Sequence, residues 1–281
     1  MNNLSKTFRY INANNDSITF TYENGYLINK PAGVDTLSVT LSEAQGINQV
    51  GSTVQSVNVK SRPVTISGLI VSDVATNKNR LLSVIRPDLS GKLYADDYYL
   101  NVYPTATPTI DPKPEFSAFQ FSLKAPYPYW QKDDSFSKAL SGVIPRFKFP
   151  WNMSREYQFG EPMATQFINV YNSGQVPIPF TAVFTAANDV STPIIRNVTT
   201  NEVLQINHSL VQGEIVTLEI THDRTYCTSS VNGDIRGALS LTNTFNRLAV
   251  GDNVLKPEAA AGLGNLKISL NFSTEITGIA L

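Results

Sequence analysis

Apolar and polar residues alternate with period two through most of this chain, a pattern that leaves room for little besides β-structure. In "SITFTYENGYLI", Ile18, Phe20 and Tyr22 alternate with Thr19 and Thr21, and Asn24-Gly25 then supplies a favoured hairpin turn. "SVNVKSRPVTISGLIV" alternates again through Val57, Val59, Val64 and Ile66, and Pro63 marks an edge or a strand start. "YYLNVYP" and "FSAFQFSLKAPYPYW" read as two further strands. The second half restarts the pattern. Ile168 and Val170 precede a turn at Asn172-Ser173-Gly174, and Phe180, Ala182 and Phe184 follow it. Later come Val216, Leu218 and Ile220, an Asn232-Gly233 turn, and Leu266, Ile268, Leu270 and Phe272. Short strands between turn signals, with no repeat of fixed period, argue for an all-β sandwich.

One stretch departs from this. In "NRLLSVIRPDLSGKLYADD", Leu81, Leu82 and Ile85 lie at helical spacing, Pro87 ends the helix and Gly91 turns the chain. The spacing predicts one short helix with a stripe of Leu81, Leu82 and Ile85. "PTATPTIDPKPEF" holds prolines at 104, 108, 112 and 114, which excludes central strand and predicts a loop or arm. From about residue 131 to Gly160 the alternation dissolves into an aromatic, basic segment, read as an ordered connector. The expected division is a β domain over 1–135, a connector over 136–160 and a sandwich over 161–281.

Composition narrows the function classes. Charged residues make up 16% of 281, low against the roughly 25% of globular domains. The surface therefore leans on Asn, Ser, Thr and Gln, which suits extracellular, viral or assembled β-proteins. The formal net charge is −1 and Lys and Arg form no block, so specific nucleic-acid binding is not expected. Cys227 is the one cysteine and reads as a small buried hydrophobe. The N-terminus shows no apolar signal region and no stretch has the length of a membrane span, so synthesis in the cytoplasm without obvious export is the expectation.

Chemistry-bearing patterns are sparse. His208 and His222 are the two histidines; they fit no zinc spacing and no nucleophile motif, and G-x-S-x-G is absent. Both are expected as solvated or hydrogen-bonded strand residues. The pairs Asp96-Asp97 and Asp133-Asp134 are sequence neighbours, which point to opposite faces of a strand and do not face one substrate. "AAAGLGNL" lacks the lysine of a phosphate loop. No catalytic, cofactor-binding or metal residue is assigned, and no cofactor is expected. Sugar binding by a β-sandwich stays open. Its aromatic candidates are Trp130 and Trp151, in or near the connector, and Tyr171 and Tyr226, which together with several Phe read mostly as strand-core positions.

The order of these pieces resembles the distal tail protein (Dit) family of siphophages, hubs of the tail tip. "ITFTYENGYLI" and "PAGVDTLSVTL" are similar to the family's opening, and "SRPVTISGLIV" to its R-x-V-x-I-x-G-x-I. "NRLLSVIRPDLSGKLY" resembles its L-L-x-x-I-x-P-x-x-x-G-x-L-x-Y through Leu81, Leu82, Ile85, Pro87, Gly91, Leu93 and Tyr94. "KAPYPYW" follows as the closing strand. "VYNSGQVPIPFTAVF" resembles an N-x-G-x-x-x-x-P entry into a galectin-like sandwich, and the stretch around "FNRLAVGDN" an F-x-x-L-x-x-G-x-N. "FSTEITGIAL" lacks an aromatic-rich finish, so the last strand is not placed. The resemblance implies a tail-tube-like β-barrel or split sandwich with one flanking helix, joined to a C-terminal galectin-like β-sandwich. It implies a non-enzymatic virion protein of the tail tip, forming a homohexameric ring that joins the tail-tube protein to a tail-associated baseplate hub protein and receptor-binding proteins, with DNA passing through. Two alternatives stay open: a carbohydrate-binding adhesion module of the tail, and a cell-wall-degrading enzyme.

Overall fold

The structure is a computed structural model that describes residues 6–111, 113, 116–140, 143–145, 160–162 and 167–281. The described residues are β-rich with a single α-helix. The chain divides into two compact units: residues 1–133 with 275–281, and residues 134–274. The first boundary lies two residues from the expected one. The last seven residues, which the sequence reading gave to the second half, pack in the first unit.

Unit 1 is built from β1 (Phe8–Asn12), β2 (Ser17–Phe20), β3 (Tyr26–Ile28), β4 (Val39–Ala44), β5 (Thr53–Val59), β6 (Arg62–Ile70), α1 (Val74–Val84), β7 (Gly91–Ala95), β8 (Tyr98–Pro104), β9 (Thr109–Asp111), β10 (Ser117–Ala125) and the start of β11 (Trp130–Ala139). One sheet runs β2-β1-β7-β8-β11, and β10 joins β6, β8 and β9, with β3 on β6. β8 serves both sheets: Tyr98–Val102 pair with β7, and Tyr103 and Pro104 pair with β10. This is a split sandwich with its faces closed on one core. Phe20, Tyr26, Phe119 and Phe121 form its aromatic centre, with ring centroids 5.6 to 6.2 Å apart.

The glycines of the two motif stretches allow the close approaches. A Cβ at Gly68 would lie 2.3 Å from the Leu27 carbonyl, so β3 lies against β6 only because residue 68 has no side chain. A Cβ at Gly91 would meet the Tyr10 hydroxyl at 2.5 Å. The prolines at 104 and 108 bracket a turn, not a projecting arm: β9 returns onto β10 through Thr109, Ile110 and Asp111.

The helix stripe differs from expectation. Leu81 and Ile85 are fully buried, whereas Leu82 is 42% exposed. Residues one apart on a helix point about 100° apart, so Leu81 and Leu82 cannot both face one core. The buried face is Asn77, Leu81 and Val84, continued by Ile85 at the cap. Asn77 belongs there because it is paired: its side-chain amide donates to the Ser72 carbonyl at 2.8 Å, and its own carbonyl accepts the Tyr26 hydroxyl at 3.1 Å.

Unit 2 takes the end of β11, then β12 (Val143–Pro145), β13 (Gly160–Pro162), β14 (Ile168–Asn172), β15 (Thr181–Ala186), β16 (Val190–Asn197), β17 (Glu202–Gln205), β18 (Ser209–Leu210), β19 (Ile215–Ile220), β20 (Thr225–Ser229), β21 (Gly233–Asp234), β22 (Gly251–Ala261) and most of β23 (Leu266–Ile276). It is an antiparallel sandwich. One sheet is ordered β14-β22-β16-β17 with β18 on β16, the other β23-β15-β19-β20-β21. Their inner faces meet through Phe180, Phe184, Val216, Leu218, Phe245, Leu255, Ile268 and Leu270. The segment expected as connector is strand as far as Ala139, and Leu140 is buried in this core. Trp151 and the rest of 146–159 lie outside the described residues.

The entry motif of this sandwich is structural. Asn172 is buried; its amide donates to Val176 and Leu248 carbonyls, and its side-chain oxygen accepts the Gly174 N–H. Asn253 is its counterpart, tied to Val170, Ala249 and Gly251. The last strand, unplaced from sequence, is β23: it pairs along β15 from Leu266 to Asn271.

Candidate assembly surface

The most conspicuous unpartnered feature of the described residues is the β4–β5 hairpin. Every residue of both strands is exposed, on both faces. The register pairs Val39 with Val59, Thr40 with Asn58, Leu41 with Val57 and Ser42 with Ser56. Alternation therefore gathers Val39, Leu41, Val57 and Val59 on one face and Thr40, Ser42, Ser56 and Asn58 on the other. A shift in register between Ser42 and Glu43 then sets Glu43 opposite Val54. The extra residue keeps Val54 on the apolar face, as a β-bulge does. The tip orders itself: Gly46 N–H donates to the Gln49 side chain at 2.9 Å, and Gln49 donates to Thr53 at 2.9 Å. It presents Ile47 and Val50 to solvent.

Such a hairpin buries nothing of its own, and an isolated two-stranded ribbon is marginal in water. An exposed apolar face with two open strand edges is a surface for another chain. The sequence carries the signal in "TLSVTL" and "SVNV", but the second of these reads as continuous with the buried strand β6, so the hairpin is not separable by pattern alone.

The candidate chemical residues are dispersed. Asp96 accepts the Thr7 N–H and pairs with Lys6 at 2.8 Å; the Lys6 hydrogen bond holds its carboxyl below the usual range. Asp133 is exposed. Trp130 is fully buried, its indole N–H donating to the Val34 carbonyl at 3.0 Å, so it offers no platform. Tyr171 and Tyr226, expected mostly in the core, are exposed. Cys227 is buried, and desolvation pushes its thiol up to about 11, which leaves it unreactive.

His208 does find a partner that the sequence reading missed. Its Nε2 lies 2.8 Å from Oε1 of the buried Glu214, which also accepts the Ser229 hydroxyl and the Val211 N–H. Burial alone would raise the Glu214 carboxyl, and these hydrogen bonds outweigh it, holding the pKa below the ordinary value. Serine, carboxylate and imidazole meet here, yet the imidazole bonds the carboxylate and not the serine. A nucleophile needs its base within hydrogen-bond reach, so the cluster ties loops together instead. Among the described residues no group of three or more His, Cys, Asp and Glu is placed to hold a metal ion, and no helix is long and apolar enough to cross a membrane.

Residues 173–273 match the family model for the siphovirus-type tail component, C-terminal domain. That part of the chain is similar to the siphovirus tail-component domain. The whole chain superposes on the crystal structure of SPP1 Dit (gp 19.1), described as a paradigm of hub adsorption apparatus in phages that infect Gram-positive hosts. The TM-score is 0.69 at 10% identity, over 95% of this chain and 98% of that one. A chain of the phage P2 baseplate in its activated conformation with Ca aligns at TM-score 0.49 and 9% identity, over 98% of this chain and 100% of that one. No curated protein matches. The resemblance to siphophage distal tail proteins holds on two counts, the domain model in unit 2 and the shared fold.

Proposed function

We propose that this chain is the structural hub of a phage-type tail tip, in which copies of unit 1 close into a six-fold ring between the tail-tube protein and the baseplate. The β4–β5 hairpin is the observation that carries the reading. Its apolar face of Val39, Leu41, Val54, Val57 and Val59 is left uncovered by the described residues, and a second copy supplies a cover. Repeating that contact around a closed symmetry leaves no terminal edge exposed. The role is mechanical, not enzymatic, and localised to the virion tail tip. Unit 2 serves as a platform for receptor-binding and baseplate proteins. A net charge of −1 suits a lumen through which DNA must pass without being held, because cationic walls would bind phosphate.

The test is native mass spectrometry of the full chain at rising concentration, with and without its tail-tube protein. We expect six-fold species, lost in the double substitution Leu41→Asp and Val57→Asp while the circular dichroism melt is unchanged. Neither residue touches a core, so a folding defect is not expected. A chain monomeric under every condition, or a double variant that still closes rings, overturns the reading.

A further inference from the structure

Unit 2 carries a polar recess at the turn between β19 and β20, a cavity of about 220 Å³. Thr221, His222, Asp223 and Arg224 come from that turn, and Asn246 and Arg247 from the loop that precedes β22. We propose that this recess binds a phosphorylated polyol, with the phosphate between Arg224 and Arg247 and the polyol hydroxyls on Asp223 and Asn246. The inference stands independently of the ring, because it concerns unit 2 alone.

The donor set argues for the phosphate. Arg247 reaches back to the turn: its guanidinium lies 3.4 Å from the His222 Nδ1 and 3.3 Å from the His222 carbonyl. These two contacts hold one guanidinium at the recess wall. Arg224 arrives from the other strand end, with its guanidinium 3.5 Å from Asp223 and largely exposed. The turn beneath it is fixed by Thr221, whose hydroxyl donates to Asp223 and accepts the Arg224 N–H. Two guanidinium forks entering from different chain segments suit a tetrahedral oxyanion better than a planar carboxylate, which one fork already satisfies.

The single carboxylate argues for the rest of the ligand. Asp223 would repel a bare dianion, and it leaves the two arginines with a net charge of +1. A phosphate ester of a polyol brings hydroxyls, whose hydrogen bonds to the Asp223 carboxylate and the Asn246 amide offset that repulsion. The cavity exceeds a lone phosphate, which leaves space for the polyol. The recess sits in an open turn that does not exclude water, so the expected affinity is weak, with Kd in the range of about 1 mM.

The experiment uses the full chain and three probes: glycerol 3-phosphate, inorganic phosphate and glycerol. Binding is read from broadening of the ³¹P line for the first two and by saturation transfer for the third. We expect glycerol 3-phosphate to bind at least about fivefold more tightly than inorganic phosphate, with glycerol undetected. Arg224→Ala and Arg247→Ala should each weaken it by about tenfold, and Asp223→Asn should favour inorganic phosphate. Arg224 touches no core, so its variant keeps the test valid even if Arg247→Ala loosens the loop. No broadening with the wild type, or broadening unchanged in Arg224→Ala with a native melt, overturns the proposal. Equal affinity for inorganic phosphate overturns the polyol part.

Discussion

At the scale of single residues, the buried charges are those that organise loops. Arg62 is 2% exposed, and among the described residues no carboxylate hydrogen-bonds it. Its guanidinium donates instead to four carbonyls, those of Pro128, Gly33, Val34 and Thr277. Desolvation lowers its pKa, with Asp35 opposing. A cation so placed holds only because its fork satisfies acceptors in several directions. The sequence shows Arg62 as the first position of a motif, but its role is not legible there, because all four carbonyls belong to segments distant in the chain. Arg62→Met should destabilise unit 1 by about 2–4 kcal/mol by orphaning those acceptors. Arg62→Lys should recover little, since one ammonium cannot reach four carbonyls. Chemical denaturation measures both, and a lysine variant as stable as wild type would refute the fork argument.

Glu214 offers the pH counterpart. Its folded pKa is depressed, so its contribution to stability is present above the unfolded value of about 4.3 and is lost as pH falls through the folded value. Glu214→Gln sets an amide against the Val211 N–H or against Ser229 and His208, and should cost about 1–3 kcal/mol at pH 7. The variant should also lose part of the acid-side slope of stability. Melting temperatures of the two proteins between pH 3 and 7 should therefore converge at the acid end. Curves that stay parallel throughout would show that the carboxylate is not the titrating partner.

At the scale of elements, periodicity reports amphipathicity and not what covers the apolar side. Strands β5 and β6 alternate alike, and Lys60 and Ser61 are the break between them. β6 buries Val64, Ile66 and Ile70, whereas Val57 and Val59 stay in solvent. Nothing in the alternation distinguishes a face turned to its own core from one awaiting a neighbour. The helix shows the same limit. Its existence is legible from Leu81, Ile85 and Pro87, but its facing is not, because Asn77 holds a buried position that hydrophobicity would never nominate. Leu81→Ala should cost about 2–5 kcal/mol. Leu82→Asp, on the solvent side, should cost less than about 1 kcal/mol. Side-by-side thermal melts decide the matter; a larger loss from Leu82→Asp would mean the exposed side of α1 is packed.

At the scale of the whole molecule, unit 1 is discontinuous in sequence and unit 2 is an insertion within it. The chain leaves unit 1 in β11 and returns in β23, a path no local pattern reveals, since β23 alternates evenly across Leu266–Ile276. The returning tail is built into unit 1. Glu275 accepts the Tyr127 hydroxyl at 2.5 Å and the Gln131 amide at 3.3 Å. Thr277 accepts from Arg62, and the Ile279 N–H donates to the Val34 carbonyl at 3.1 Å. Ile279 is itself buried in the unit 1 core. A fragment ending at residue 135 thus lacks one acceptor of its buried arginine and one wall of its core. It should melt well below a chain in which 134–274 is replaced by a short Gly/Ser linker and the tail is kept. Removing 277–281 from the full protein should lower the unit 1 transition by several degrees and leave the unit 2 transition in place, because no tail residue lies in the second core. Scanning calorimetry separates the two. Equal melting of the 1–135 fragment with and without the linked tail would mean that the strap is dispensable and that unit 1 completes itself before the chain has returned.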